Sequence, residues 1–118
     1  MNIGLNQLKI HCIIGLFADE RVQTQDLFID LDLEVIPGLS VENDCLEEDT
    51  VDYFIISEWL KSEITERKFY TLEALCFQCG KKILNDYSHI LKLKIKASKP
   101  QAISNCKASY VQIELTQN

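Results

Sequence analysis

Nine residues near the C-terminus constrain the fold most. The run 91–99 reads Leu-Lys-Leu-Lys-Ile-Lys-Ala-Ser-Lys. Leu91, Leu93, Ile95 and Ala97 are apolar, and Lys92, Lys94, Lys96 and Ser98 between them are polar. Successive side chains of a strand point to opposite faces, so this alternation predicts a strand with one core face and one charged face. Such a strand belongs in a sheet covered on a single side. Lys99 then falls on the apolar phase, and Pro100 ends the strand. An amine aimed with a core is costly unless a partner offsets it or the strand end twists it out to water. Lys99 is therefore a candidate for a positioned group.

The rest of the chain supplies the partners for that strand. Leu8, Ile10, Cys12 and Ile14 alternate with Lys9, His11 and Ile13, predicting a first strand that ends near Gly15. Ile3 and Leu5 are out of phase with them, which predicts a bulge near Asn6-Gln7. Residues 16–25 are polar and loop-like. Leu27, Ile29, Leu31, Leu33 and Val35 alternate with Phe28, Asp30, Asp32 and Glu34 in a second strand, which Pro37-Gly38 stops. Residues 39–52 are acidic and read as irregular. A helix is predicted over about 53–68, with Ile56, Trp59, Leu60 and Ile64 on one face and Asp52 as its N-cap. A second spans about 72–87, with Leu72, Leu75, Cys76, Cys79, Ile83 and Leu84 on one stripe and Thr71 as N-cap. The last strand turns Val111, Ile113 and Leu115 inward and Gln112, Glu114 and Thr116 outward.

The order is ββααββ in one domain over 1–118, an α+β chain. The predicted architecture is a four-stranded antiparallel sheet with both helices on one face. Its other face carries acids on the second strand and lysines on the third, a match suited to paired strands. That face is too polar for a dry core but could line a solvent-filled channel in an oligomer.

Composition excludes several function classes. A chain of 118 residues with 47% hydrophobic residues can bury a core without metal or disulfide help. A net charge of −6 argues against nucleic acid as a partner. No apolar run approaches the ~20 residues of a membrane span. The N-terminus lacks a basic segment followed by an apolar one, so a cytoplasmic protein without a membrane partner is expected. The five cysteines are scattered; Cys76 and Cys79 form a CxxC inside a helical pattern and read as reduced core thiols. Two histidines, His11 and His89, are too few for a three-histidine zinc site. GxGxxG, Walker A, GxSxG and HExxH motifs are absent from the sequence.

What remains is a set of ionisable groups near element ends. Glu20 lies in the loop after Gly15, and Tyr53 opens the first helix. Glu73 sits in the first turn of the second helix, where an acid meets the helix dipole favourably. Flanked by Leu72 and Leu75, Glu73 is expected to be semi-buried, and its carboxylate could accept two N–H groups of a planar ligand. Taken singly, each also reads as a solvated acid or a core aromatic.

Four segments together resemble the dihydroneopterin aldolase family along almost the whole chain. They are Ile14-Gly15-Leu16-Phe17 with Glu20-Arg21 and Gln25; Asp49-Thr50-Val51-Asp52-Tyr53; Phe69-Tyr70-Thr71-Leu72-Glu73-Ala74-Leu75; and Ser98-Lys99-Pro100. The resemblance implies the tunnelling fold, in which sheets of several copies join into a barrel with helices outside, and a homo-octamer of two tetrameric rings. It implies retro-aldol cleavage of 7,8-dihydroneopterin in folate biosynthesis, without metal, Schiff base or other cofactor. Glu73, with the backbone near Leu72, would anchor the pterin ring. Lys99, Glu20 and Tyr53 would form the acid/base set, Tyr53 coming from a neighbouring subunit. The sequence departs from the family where many members carry His-Gly in place of Ile14-Gly15. It departs again after the lysine, where Gln101 to Lys107 replace a stretch rich in proline and glycine. Alternatives are a dihydroneopterin triphosphate 2′-epimerase, with Arg21 or Lys107 meeting the triphosphate, a non-catalytic pterin-binding ring, and a zinc-dependent pterin synthase. The Ser98-Lys99-Pro100 sequence favours the aldolase, and the two histidines oppose the zinc enzyme.

Overall fold

The computed structural model describes residues 1–45, 51–100 and 102–118. Four strands, β1 (Asn2–Cys12), β2 (Gln25–Val35), β3 (Ile90–Lys99) and β4 (Ser109–Thr116), form one antiparallel sheet in the order β1-β2-β3-β4. Helices α1 (Leu39–Glu42), α2 (Tyr53–Arg67) and α3 (Leu72–Asp86) lie between β2 and β3. Helix α2 packs on β1, and α3 packs on β3 and β4. The core is the layer between: Leu27, Ile29 and Leu33 of β2 and Leu93 and Ile95 of β3 meet Leu60 and Ile64 of α2 and Leu75 and Cys76 of α3. Gly80 lets α3 sit close, since a Cβ there would lie 2.9 Å from Leu115 Cδ1.

Local chemistry explains the element ends. Asp52 caps α2 by accepting from the amides of Phe54 and Ile55, and Lys68 closes that helix in a left-handed conformation. The Thr71 hydroxyl accepts from the Ala74 amide and starts α3. The bulge in β1 falls between Leu5 and Leu8, with Gln7 at φ +53°. The Asp30 carboxylate holds this left-handed residue, taking its amide at 2.9 Å and its side-chain nitrogen at 2.7 Å. The bulge brings Ile3 and Leu5 onto the face of Leu8, Ile10 and Cys12.

Two expectations need correction. Leu91 does not face the core: it is 45% exposed and Ile90 is buried in its place. The register slips between Glu34 and Val35, so the alternation restarts one residue earlier. Residues 39–42 form a short helix rather than irregular chain. Of the stretch 39–52, residues 46–50 lie outside the described ones, and Asp49 and Thr50 of the second resembling segment lie there too.

The uncovered face keeps its charge pairing. Asp30, Asp32 and Glu34 stand opposite Lys96, Lys94 and Lys92 across β2 and β3. Lys92 also bonds Glu114 of β4 at 3.0 Å. The CxxC cysteines are buried and free, and burial pushes the thiols of Cys76 and Cys79 up to about 12. They are poor nucleophiles and pack as small apolar groups. Among the described residues no helix is long and apolar enough to cross a membrane.

Candidate active site

Lys99 ends β3, and its partner comes from the loop between β1 and β2. Its Nζ donates to Glu20 Oε2 at 3.0 Å, and both side chains are largely buried, 15% and 18% exposed. The out-of-phase lysine is thus offset by an acid seventy-nine positions away in sequence. Glu20 is held from three directions. Its Oε1 accepts the Phe17 amide at 3.3 Å, and Oε2 also accepts Gln25 Nε2 at 3.3 Å. Burial alone pushes the Glu20 pKa up, but the Lys99 bond, the two other donors and the lysine charge outweigh it. The carboxyl therefore titrates below its ordinary value of 4.5.

The loop is shaped to allow this. Gly15 adopts φ +137°, and a Cβ there would fall 2.2–2.5 Å from the Glu20 carboxyl atoms. Glycine is needed both for the conformation and for the space. Gly15→Ala is expected to expel Glu20 from its seat. Turnover should fall by at least about tenfold, with a stability loss of about 1–3 kcal/mol. A crystal structure of the variant with Glu20 unmoved would contradict this.

Arg21 ties the same loop to the entry of α3. Its guanidinium donates to the carbonyls of Gly15 at 3.1 Å, Phe69 at 3.2 Å and Lys68 at 2.9 Å. It also lies 4.1 Å from the Tyr70 ring centroid. The Gly15 amide donates to the Phe69 carbonyl at 3.2 Å, and Gln25 Nε2 donates to the Ile14 carbonyl at 2.8 Å. These contacts fix the loop carrying Glu20 against the segment leading to Leu72 and Glu73. Nothing in the sequence distinguished Arg21 and Gln25 as clamps, because their partners are backbone carbonyls.

A cavity of about 480 Å³ opens beside the pair, lined by Phe17, Asp19, Glu20, Thr24, Lys99 and Ile103 among others. A lysine ammonium has three hydrogens, so Lys99 keeps two donors for a bound molecule or water. Glu73 and Tyr53 are not gathered here. Glu73 occupies the first turn of α3 and is exposed, not semi-buried as expected, whereas Leu72 beside it is buried. Its acid projects from the first turn, while the apolar stripe of α3 faces the sheet. Tyr53 opens α2 and is 57% exposed, next to exposed Phe54 and Ile55. Among the described residues neither bonds to Glu20 or Lys99.

The pair contributes to stability with a definite sign. Because the folded-state pKa of Glu20 is lowered, its contribution is complete above the unfolded value and lost as pH falls through the folded one. Urea unfolding of wild type and Glu20→Gln should show a gap that is widest above about pH 5 and closes in more acidic solution. A gap independent of pH would contradict the assignment.

Known proteins agree with this architecture. The family model for FolB, dihydroneopterin aldolase, matches residues 3–116. The folic acid synthesis protein fol1 of Pneumocystis carinii is 27% identical over 113 residues. That match takes in 92% of this chain but 15% of the relative, so the chain spans a small part of that curated protein. The crystal structure of a Vibrio cholerae protein described as a dihydroneopterin aldolase (FolB) superposes with a TM-score of 0.90 at 23% identity, covering 98% of this chain and 97% of the other. An E. coli dihydroneopterin aldolase crystallised with neopterin gives 0.89 at 23% identity, covering 98% of each chain. The sheet with two long helices on one face is the tunnelling fold these structures share. With nearly its full length matched by that family model, the chain belongs to the dihydroneopterin aldolase family.

Proposed function

We infer that the chain acts as a dihydroneopterin aldolase, releasing glycolaldehyde and 6-hydroxymethyl-7,8-dihydropterin from 7,8-dihydroneopterin. The observation that carries the reading is the Glu20–Lys99 pair, 3.0 Å apart at the edge of an open cavity. The E. coli relative crystallised with neopterin supports a pterin ligand.

Retro-aldol cleavage needs a base at the 2′-hydroxyl, an electron sink and an acid at the carbon left behind. The C6=N5 imine of the substrate accepts the electrons as the C1′–C2′ bond breaks, so no Schiff base is required. Loss of the 2′-hydroxyl proton turns C2′ into the aldehyde carbon as the C1′–C2′ bond breaks, and protonation of C1′ completes the hydroxymethyl product. Lys99 and Glu20, already sharing a proton contact, are placed to relay these protons through a bound water. Tyr53 joins the set from a neighbouring copy, and Glu73 with the Leu72 backbone holds the pterin edge.

That division requires assembly into rings, a homo-octamer in this reading. Exposed Tyr53, Phe54 and Ile55 form an apolar cluster, and among the described residues β1 and β4 are the edge strands of the sheet, as a ring of copies would use. A mixing experiment tests it. Lys99→Ala and Tyr53→Ala proteins, each strongly impaired alone, should regain part of wild-type turnover when denatured and refolded together. No recovery in verified mixed oligomers would overturn the shared site.

A triphosphate substrate is disfavoured by charge. Arg21 is committed to three carbonyls, and the cavity sets Asp19 and Glu20 against Lys99. Among the described residues that line the cavity in one chain, Lys99 is the one cation that four phosphate-derived charges would meet, and it is already paired. The free pterin is therefore the preferred substrate over its triphosphate.

A further inference from the structure

A hydrogen-bonded chain of three side chains on the uncovered sheet face ends at this cavity. Asp26 of β2 sits opposite His11 of β1, and its Oδ1 lies 2.9 Å from His11 Nδ1. His11 Nε2 lies 2.7 Å from Thr24 Oγ1, and Thr24 lines the cavity with Glu20 and Lys99. Lys9 Nζ stands 3.7 Å from Asp26 Oδ2. Resting on the aldolase reading, we propose that Thr24 is a further substrate contact, its hydroxyl oriented by His11 and Asp26 to accept a hydrogen bond from the substrate's polyol side chain.

The chemistry fixes the direction of each bond. An ionised carboxylate only accepts, so His11 donates from Nδ1 to Asp26. The Asp26 carboxyl is held below its ordinary range, chiefly by that bond against some burial, with Lys9 adding to it. In neutral imidazole the second nitrogen is then an acceptor, so the Thr24 hydroxyl donates to Nε2. With its proton committed, the Thr24 oxygen presents lone pairs alone. A hydroxyl on the ligand's tail can donate to it; a flat pterin ring without a tail has no hydroxyl for that role. His11 and Asp26 are positioning residues, because they act only through Thr24.

The test uses calorimetric titration at about pH 8. The ligands are neopterin and pterin lacking the side chain, and the measured quantity is the ratio of their affinities. Thr24→Val should lower that ratio by about five- to tenfold, the loss of one hydrogen bond. Thr24→Ser should restore it. Asp26→Asn should lower it in wild type and have no further effect on top of Thr24→Val. A ratio unchanged in Thr24→Val, or an Asp26→Asn effect that persists without the hydroxyl, would overturn the proposal. Wild type that binds neither ligand would instead overturn the aldolase reading, and this proposal with it.

Discussion

Lys99→Ala is expected to cut turnover of 7,8-dihydroneopterin by a factor on the order of 10²–10⁴ while leaving a folded protein that binds pterin. The size follows from removing the group that moves protons beside the breaking bond. The structural cost should be smaller. Glu20 loses its nearest donor but keeps the Phe17 amide and Gln25, and it is 18% exposed, so water can reach the vacated side. About 1–3 kcal/mol of stability is at stake, within what an ordinary domain tolerates. Circular dichroism and pterin titration separate the two effects. Near wild-type turnover in a pterin-binding Lys99→Ala protein would remove the lysine from the mechanism.

Glu73→Ala is expected to weaken pterin binding by on the order of a hundredfold or more. Two charge-assisted hydrogen bonds to the ring, each contributing about 1.5–3 kcal/mol, would be lost together. Folding should scarcely change. Glu73 is exposed in the first turn of α3, so stability loses only its favourable meeting with the helix N-terminus, about 0.3–1 kcal/mol. The contrast between intact unfolding curves and failed calorimetric binding is the expected result. Unchanged affinity would sink the anchor assignment.

The two variants probe residues that the sequence exposes to very different degrees. Lys99 is legible because a strand's period is two, and one lysine on the apolar phase breaks a pattern eight residues long. Glu20, its partner, carries no such mark: loops have no period, and an acid in a polar loop is ordinary. Only the resemblance joined the two, and the 3.0 Å contact gives the reason they belong together. The helices were legible from their caps and stripes, and Asp52 and Thr71 cap them as read. Leu91 departs from the alternation because a register slip depends on the neighbouring strand, which the alternation of one strand does not contain. The exposed position of Glu73 also escaped a reading based on its apolar neighbours. The clamps were hidden for another reason. Arg21 looks like a surface cation in sequence, and its three acceptors are carbonyls that every residue possesses. Gly15 is visible as a break after a strand, but the carboxylate it makes room for is not.

The proposed reaction breaks a carbon–carbon bond with the chain's own side chains and the substrate's imine. The direct measurement is to treat the wild-type protein with a chelator, incubate it with 7,8-dihydroneopterin and quantify both products. Glycolaldehyde and 6-hydroxymethyl-7,8-dihydropterin should appear in equal amounts, at a rate the chelator does not change. Substrate that is bound but yields no glycolaldehyde, or is converted only to its 2′ epimer, would contradict the account.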